Sequence, residues 1–473
     1  MKVEQIYTGC LAQGAYYIES NGEAAIIDPL REVQPYIDMA SKRGAKIKYI
    51  FETHFHADFV SGHKDLAEKT DATIVYGPTT MKLGFDAHVA EDNEIFKLGN
   101  VEIKLIHTPG HTLESSCYLL YNEESQEESI FTGDTLFIGD VGRPDLAQKI
   151  ATDLTQEKLA SMMFDSLRNK IIPLPDHITV YPAHGAGSAC GKNMSNKTSD
   201  SLGNQKKTNY ALNTKLTREE FIKGLTTGLT PPPGYFPENV LMNIQGYNPI
   251  DEVISNGTRK LSITEFEAAM VDTNTLIIDT RNEKDFVKGF IPGSLFIGLD
   301  GSFAVWAGTL IKDINQKILL IADKGREEEA VTRLARVGYD NTIGYLDGGI
   351  ESWKEANKSI DTIKSVSPEQ AFELMNKENL TVLDVRKVNE HTSEHILGAK
   401  NIPLDYFDKH LTEIKPDENH LVHCAGGYRS VIFTSILKAK GYNNLINIEK
   451  GFKGIQETGL YNISAYVCPT TLA

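Results

Sequence analysis

The sequence predicts an α/β protein built from more than one domain. At 473 residues the chain is longer than one hydrophobic core usually serves. Over roughly the first 190 residues, short apolar runs alternate with amphipathic stretches, and the later part of the chain contains an internal repeat. These observations favour a layered α/β domain followed by two smaller repeated domains.

The first region contains the apolar runs that predict strands and the amphipathic stretches that predict helices. The predicted strands are 15–18, 24–27, 47–51, 73–76, 101–106, 116–121 and 178–181, and the predicted helices are 33–42, 63–69 and 155–168. Residues 191–209 are polar and rich in Ser, Asn and Lys, so we expect a mobile loop there. Residues 230–237 read T-P-P-P-G-Y-F-P and predict a stiff extended stretch.

The repeat occupies the remainder of the chain. Residues 276–281 read L-I-I-D-T-R and residues 382–386 read V-L-D-V-R, with Asp279 and Asp384 placed 105 positions apart. Each copy is a βα unit of roughly a hundred residues, which is an ordinary domain size. We therefore predict domains at 1–250, 260–360 and 364–473, with the polar insert and the Pro-rich stretch assigned to the first.

Composition excludes several classes of function. The net charge of −16 argues against nucleic acid or an anionic membrane as the main partner. Five widely spaced cysteines do not resemble a disulfide framework, and the start MKVEQIYTG lacks the apolar core of a signal peptide. No apolar run approaches the roughly 20 residues of a membrane span. The expectation is a cytoplasmic protein with no membrane or nucleic-acid partner.

The most informative stretch is residues 53–59, which read T-H-F-H-A-D-F. His54, His56 and Asp58 follow a predicted strand at alternating positions, as metal ligands on a strand-to-loop exit often do. A two-zinc hydrolase with this pattern has a further His where Phe59 stands, and a phenyl ring cannot bind a metal. We therefore expect one working metal site rather than two-metal hydrolysis.

Further predicted strand exits each end in a residue able to bind a metal. His111 lies in T-P-G-H-T, Asp134 in F-T-G-D-T and His184 in Y-P-A-H-G. Gly and Pro at these exits let the backbone turn sharply, so the side chains converge. One such exit means little, but this ordered series, with Asp28 in an early I-I-D-P, is specific.

These motifs resemble the metallo-β-lactamase superfamily, and within it the persulfide dioxygenases. The resemblance implies an N-terminal αββα sandwich and one Fe(II) per chain on His54, His111 and Asp134, with zinc as the alternative metal. It implies second-shell or substrate-facing roles for His56, Asp58 and His184, and it matches Arg143 to an arginine that holds the persulfide carrier. Two His and one carboxylate leave open the coordination positions that non-haem Fe(II) oxygenases use.

Cys190 lies six residues after His184, in H-G-A-G-S-A-C-G-K. A small buried hydrophobic residue and a thiol beside the metal that relays sulfane sulfur are equally compatible with this setting.

Another cysteine occupies a different kind of loop. Residues 421–430 read L-V-H-C-A-G-G-Y-R-S, so an apolar strand leads into Cys424 and a helix follows. Backbone N–H groups in such a loop cradle an anion and lower the thiol pKa, and Arg429 is suited to steadying a charged sulfur species. The predicted cradle consists of Ala425, Gly426, Gly427 and Tyr428.

The cysteine loop resembles that of the rhodanese sulfurtransferases. Four residues separate Cys424 from Arg429, whereas phosphatase relatives have five, which favours sulfur transfer over phosphate chemistry. The middle copy has no cysteine, since none lies between Cys190 and Cys424, and its corresponding strand ends at Asp323. We interpret it as an inactive rhodanese-like domain that acts as a spacer, docking or dimer surface.

The whole chain then resembles bacterial fusions of a persulfide dioxygenase with a sulfurtransferase. That resemblance implies oxidation of a glutathione, coenzyme A or similar persulfide by O2 to sulfite, sulfur transfer through Cys424 to give thiosulfate, and a homo-oligomer. Two alternatives remain: a zinc-dependent thioester hydrolase of the glyoxalase II type joined to a sulfurtransferase, and a non-catalytic sulfur carrier.

Overall fold

A computed structural model describes residues 1–146, 154–192, 194–229, 231–272, 274–378, 380–416 and 418–468. The chain divides into two compact units. The first consists of Met1–Glu252 with Thr332–Tyr339, and the second consists of Val253–Val331 with the residues from Asp340 onward.

Two mixed sheets form the centre of the first unit. Their strands are β1 (Lys2–Thr8), β2 (Gln13–Ser20), β3 (Glu23–Ile27), β4 (Lys46–Phe51), β5 (Thr73–Tyr76), β6 (His88–Val89), β7 (Ile95–Leu98), β8 (Val101–His107), β9 (Ser116–Tyr121), β10 (Glu127–Gly133), β11 (Thr179–Pro182) and β12 (Asp200–Ser201). The strand orders are β1-β2-β3-β4-β5-β6 and β12-β11-β10-β9-β8-β7. The helices are α1 (Gln34–Arg43), α2 (His63–Thr70), α3 (Gln156–Ser166), α4 (Leu202–Thr208), α5 (Arg218–Thr226) and α6 (Phe236–Gln245). Helix α7 (Ile250–Gly257) begins in this unit and ends in the second.

The two sheets face each other, and β9 shows how their cores are arranged. Successive side chains of a strand point to opposite faces of its sheet. Tyr118 and Leu120 join the cluster between the sheets, whereas Cys117 and Leu119 join the cluster beneath the helices that cover the second sheet. A strand buried on both sides carries no polar alternation, which explains the continuous apolar run there. The predicted layered α/β fold is confirmed.

The second unit contains two parallel sheets with the same strand order. Their strands are β13 (Lys260–Leu261), β14 (Thr275–Asp279), β15 (Leu295–Phe296), β16 (Lys317–Ile321), β17 (Thr342–Leu346), β18 (Lys364–Val366), β19 (Thr381–Asp384), β20 (Lys400–Asn401), β21 (His420–His423) and β22 (Leu445–Ile448). The orders are β13-β17-β16-β14-β15 and β18-β22-β21-β19-β20. The helices are α8 (Ile263–Met270), α9 (Glu283–Phe286), α10 (Phe303–Leu310), α11 (Glu327–Ala335), α12 (Gly349–Glu355), α13 (Pro368–Glu378), α14 (Val388–Ser393), α15 (Phe407–His410), α16 (Tyr428–Ala439) and α17 (Gly451–Thr458).

The repeated D-x-R motif performs the same structural task in both copies. Arg281 Nε donates to Asp279 Oδ1 at 2.9 Å, and Arg386 Nε donates to Asp384 Oδ1 at the same distance. In each copy the second amino group of the guanidinium also donates to a carbonyl eight residues further along the chain. Each buried carboxylate is therefore paired at the end of a central strand, which accounts for the recurrence of the motif.

Two local expectations were wrong. Residues 191–209 are not one loop, because β12 and α4 lie within them: Ser201 caps α4 by accepting from Asn204 N–H, and Leu202 is buried. The Pro-rich stretch is not extended to its end, because α6 begins at Phe236 with Pro237 in its first turn, where a missing N–H costs nothing. Across the described residues, no helix has both the length and the apolar character needed to cross a membrane.

Candidate metal centre and cysteine loop

The strand exits of the first unit bring His54, His111 and Asp134 together. These residues follow β4, β8 and β10, and their ligand atoms lie within 4.8 Å of one another. Nε2 of His111 lies 3.4 Å from Asp134 Oδ2, and Nε2 of His54 lies 3.9 Å from the same oxygen. Each of the three residues is at most 2% exposed, so the cluster is shielded from bulk water.

Hydrogen bonds fix the orientation of both imidazoles. His111 Nδ1 donates to the Arg143 carbonyl at 2.8 Å. The Thr53 hydroxyl donates to Asp28 Oδ2, so it accepts from His54 Nδ1, 3.0 Å away. The Nε2 atom of each ring is thereby left with a lone pair directed at Asp134, as second-shell partners of metal-binding histidines typically arrange.

The remaining atoms of this cluster fit a bound cation. Asp134 Oδ2 is buried and lacks a hydrogen-bond partner among the described residues. Burial alone would raise the pKa of Asp134, but the charge and hydrogen bond of His184 hold it below its usual range. Burial, followed by the neighbouring His56, lowers the pKa of His54 well below its usual value, so the ring is neutral and able to bind a metal.

Two glycines let the backbone approach the cluster. Gly133 has a φ of +51°, and a Cβ there would lie 2.6 Å from the side chain of Thr53. A Cβ on Gly142 would lie 2.8 Å from His111 Nδ1. Both positions therefore require glycine for the ligands to stay in place.

His56 belongs to a different cluster from His54. Its Nε2 lies 3.1 Å from Asp28 Oδ1 and 3.6 Å from Glu52 Oε2, and all three residues are buried. Phe59 is fully buried with its ring centroid 4.3 Å from that of His56. The phenyl ring thus packs against the second histidine of the motif.

A third cluster consists of Asp58, His184 and Cys190, whose ligand atoms also lie within 4.8 Å of one another. Nε2 of His184 lies 2.9 Å from Asp58 Oδ2, and its Nδ1 donates to Asp134 Oδ1 at 2.7 Å. Coulombic attraction to Asp134 and Asp58 outweighs burial and raises the pKa of His184 well above its usual value. Asp134 therefore joins this cluster to the one that it forms with His54 and His111.

Arg143 is placed beside the metal centre by its backbone rather than its side chain. Its guanidinium forms two hydrogen bonds of 2.6 Å with Asp145 and is 5% exposed. Its carbonyl orients His111. A carrier-binding role for the guanidinium stays a prediction.

Sequence reasoning did not select Glu52, Thr53, Ser61 or His63. These residues surround Asp28 and His56: the Ser61 hydroxyl donates to Glu52, and His63 Nδ1 lies 3.4 Å from the same carboxylate. The available signal was position: Glu52 and Thr53 directly follow β4, at the same strand exit that carries His54 and His56.

The cysteine loop of the second unit lies between β21 and α16. Cys424 is 1% exposed, and its Sγ accepts from Gly427 N–H at 3.1 Å. Gly427 has a φ of +111°, a conformation that turns its N–H back toward the sulfur. A backbone N–H directed at the sulfur stabilises its negatively charged form.

Arg429, on the first turn of α16, is already engaged. Its two terminal nitrogens donate to the carboxylate of Glu390 at 2.6 and 2.8 Å. The hydroxyl of the neighbouring Tyr428 donates to the Gly298 carbonyl of the middle repeat at 2.7 Å. Sequence reasoning missed Glu390, because no pattern marks a residue that pairs across α14 and α16.

Comparison with known proteins agrees with this architecture. The Metallo-beta-lactamase superfamily matches residues 8–184, and the Rhodanese-like domain matches residues 262–356 and 367–458. A hydroxyacylglutathione hydrolase of Pelagibacter ubique is 34% identical over 37% of this chain and 68% of that protein. The chain belongs to the metallo-beta-lactamase superfamily.

A solved structure gives the same family. A metallo-beta-lactamase from Staphylococcus aureus is 33% identical, with a TM-score of 0.63, over 73% of this chain and 98% of that one. The ETHE1 structure from Myxococcus xanthus is 27% identical over 52% of this chain and 99% of that one, with a TM-score of 0.44. In this chain the superfamily match is followed by two matches to the Rhodanese-like domain, as the motifs predicted.

Proposed function

We propose that the metallo-beta-lactamase domain is an iron-dependent persulfide dioxygenase and that the last domain is its sulfurtransferase. The observation that carries the first part is the ligand set: two imidazole nitrogens and one carboxylate oxygen converge, while Phe59 packs on His56 at the position where a two-metal hydrolase needs a further ligand. Two His and one carboxylate are the donor set of non-haem Fe(II) oxygenases.

The residues of the metal centre would hold and shield the reacting groups. Iron(II) held by His54, His111 and Asp134 would supply redox chemistry and open coordination positions for O2 and a persulfide sulfur. The Arg143 carbonyl and the Thr53 hydroxyl keep the two rings in place. Burial of the ligands keeps competing water away, and holding both reactants side by side removes the entropy cost of their encounter.

The cysteine loop supports the second part of the proposal. The Cys424 thiolate would attack the outer sulfur of a persulfide, breaking its S–S bond, releasing the parent thiolate and forming a cysteine persulfide. Sulfite would then take that sulfur, giving thiosulfate and regenerating the thiolate. Gly427 N–H stabilises the charged sulfur in both states. Fusion to the dioxygenase raises the local concentration of the sulfite that is consumed.

The middle repeat would serve as a scaffold for the cysteine loop. It holds no cysteine, and its residue Asp323 is exposed. Gly298 and Phe296 of this repeat contact α16 through Tyr428 and Ser435. These contacts support a spacer or docking role.

The test is O2 uptake by full-length protein purified without air, loaded with Fe(II) and given glutathione persulfide, with iron counted in the same sample. We expect rapid uptake with about one iron per chain, lost in His111→Ala and kept in His88→Ala, whose imidazole is exposed. A Cys424→Ser variant should still consume O2 but release sulfite instead of thiosulfate. Absence of uptake with every low-molecular-weight persulfide would contradict the dioxygenase.

A zinc-dependent thioester hydrolase is the second candidate. It is favoured by the similarity to the hydroxyacylglutathione hydrolase of Pelagibacter ubique, 68% of whose length matches this chain. In that case zinc-loaded protein would hydrolyse S-lactoylglutathione without O2, and His184→Ala would abolish the reaction. The two candidates are separated by the metal that restores activity to metal-free protein.

A further inference from the structure

Helices α12 and α17 occupy corresponding places in the two repeats, but different residues precede them. The residue before α12 is Gly348, with a φ of +76°, and the residue before α17 is Lys450, with a φ of +59°. In both copies the preceding residue donates its N–H, at 3.0 Å, to a carbonyl of the first strand of the repeat. The same turn of the backbone is therefore made by glycine in the middle repeat and by lysine in the last.

Lysine is locally unfavourable at this position for three reasons. A left-handed φ brings its Cβ close to the backbone, whereas glycine has no Cβ. Its side chain has no oxygen to accept from the first N–H groups of the helix, and it makes no such hydrogen bond. Its charge also lies at the positive end of the helix dipole. Residues that break local rules in this way are typical of functional sites, which indicates a functional reason for Lys450.

Lys450 lies directly against the cysteine loop. A Cβ on Gly427 would lie 3.5 Å from Lys450 N, and Gly427 is the residue whose N–H donates to Cys424 Sγ. The following Gly451 has no room for a Cβ against the Cys424 carbonyl, and the N–H of Phe452 donates to that carbonyl at 2.6 Å. The start of α17 is therefore one wall of the loop, and the long, flexible side chain of Lys450 can reach the mouth of the loop.

Two other basic groups near the loop are engaged by carboxylates. Arg429 donates to Glu390 through both terminal nitrogens, and Lys387 Nζ lies 3.9 Å from the carboxylate of Asp405. Lys450 is exposed and forms no salt bridge within the described part of the chain. Because the net charge of −16 repels anions, a local cation is needed to draw an anion to the loop.

We propose that Lys450 is a specificity-determining residue, which binds the oxyanion of sulfite or thiosulfate at the mouth of the cysteine loop. This role rests on the proposed sulfurtransferase activity and adds the residue that selects its small anionic substrate. An anion held there is attracted both by the lysine and by the N-terminus of α17, and it offsets the positive charge that the helix dipole disfavours. The middle repeat has no cysteine and therefore no need of the cation, which explains why it has Gly348 at this position.

The test is sulfur transfer from glutathione persulfide to sulfite by the full-length protein without O2, so that the dioxygenase is silent, with a separate KM for each substrate. We expect Lys450→Gly to raise the KM for sulfite by roughly 2–5-fold at low ionic strength, because it removes one exposed ion pair. The kcat and the KM for the persulfide should not change, and added salt should shrink the difference. Lys450→Arg should keep the wild-type KM. Lys440→Gln is the matched control, since it removes the same charge about 18 Å away at the other end of α16.

Stability and anion binding separate this role from a structural one. Lys450→Gly relieves the left-handed conformation, so its urea midpoint of unfolding should rise although it binds sulfite more weakly, whereas replacing a lysine needed for structure alone would lower the midpoint. Sulfate protection of Cys424 against iodoacetamide, followed by mass spectrometry of the Cys424 peptide, measures anion binding without turnover, so failure of the sulfurtransferase is distinguishable. Half-protection should need roughly 2–5-fold more sulfate in Lys450→Gly than in the wild type. Equal sulfite KM values in these two proteins, equal protection by sulfate, or a raised KM for the persulfide instead of sulfite overturns the role of Lys450.

Discussion

The pairing of Arg429 with Glu390 predicts that Glu390 restricts anionic substrates at the cysteine loop. The two guanidinium nitrogens and the two carboxylate oxygens form parallel bonds of 2.6 and 2.8 Å. The side chains are 16% and 33% exposed, so the pair is only partly screened by water. A sulfite or thiosulfate ion that uses Arg429 must therefore displace Glu390.

Replacing Glu390 with Gln frees the guanidinium while keeping the shape of the side chain. A buried charge-assisted bond contributes about 1.5–3 kcal/mol, and an exposed pair about 0.2–1 kcal/mol. For this half-buried pair we take about 1–2 kcal/mol, which corresponds to roughly 5–30-fold tighter binding of an anion.

The assay is sulfur transfer from thiosulfate to cyanide, with KM and kcat determined separately. We expect Glu390→Gln to lower the KM for thiosulfate by roughly 5–30-fold, because the freed guanidinium strengthens binding of the anion. Glu369→Gln is the matched control, since Glu369 is exposed and hydrogen-bonds Ser367 instead. An unchanged or raised KM in Glu390→Gln would refute the reasoning.

Three further predictions concern positions outside the reacting groups. Tyr428→Phe removes the hydrogen bond to Gly298 and should lower the free energy of unfolding of the second unit by about 1 kcal/mol, measured by urea titration. Gly133→Ala forces an L residue to a φ of +51° against Thr53 and should weaken iron binding in a chelator competition, whereas Gly22→Ala, in open space, should not. Burial, then His56, lowers the pKa of His63 from 6.5 to about 3. The unfolded state therefore binds the extra proton, and the free energy of unfolding falls by up to about 1.4 kcal/mol per pH unit as pH drops from 6.5 toward 3. Urea titrations at several pH values should show a shallower pH dependence in His63→Gln.

Elements with strong local patterns were predictable from the sequence, and elements held by tertiary contacts were not. Strands β4, β8 and β9 were predicted to within two residues. Strand β9 is buried on both faces and is almost continuously apolar, whereas apolar and charged residues alternate in the first part of β8, and both patterns are typical of strands. Helix α4 was missed because its residues are polar: its position depends on Leu202 and on Gln205, which is buried and donates to Asp200. Composition alone therefore favoured a loop.

His54 and His56 show, at the metal centre, the same limit of prediction from sequence. Both lie in one short motif, two positions apart, and their ring centroids are 4.1 Å apart. The sequence treats them alike as ligand candidates. What separates them is a hydrogen bond to the residue that follows the neighbouring strand β3. Asp28 accepts from the Thr53 hydroxyl, which leaves that hydroxyl to accept from His54 Nδ1 and directs the His54 Nε2 to Asp134. The other oxygen of the same carboxylate lies 3.1 Å from His56 Nε2, and the Phe59 ring packs against that imidazole. Asp28 therefore selects which histidine faces the metal centre, and that selection follows from the folded arrangement rather than from the spacing of the motif.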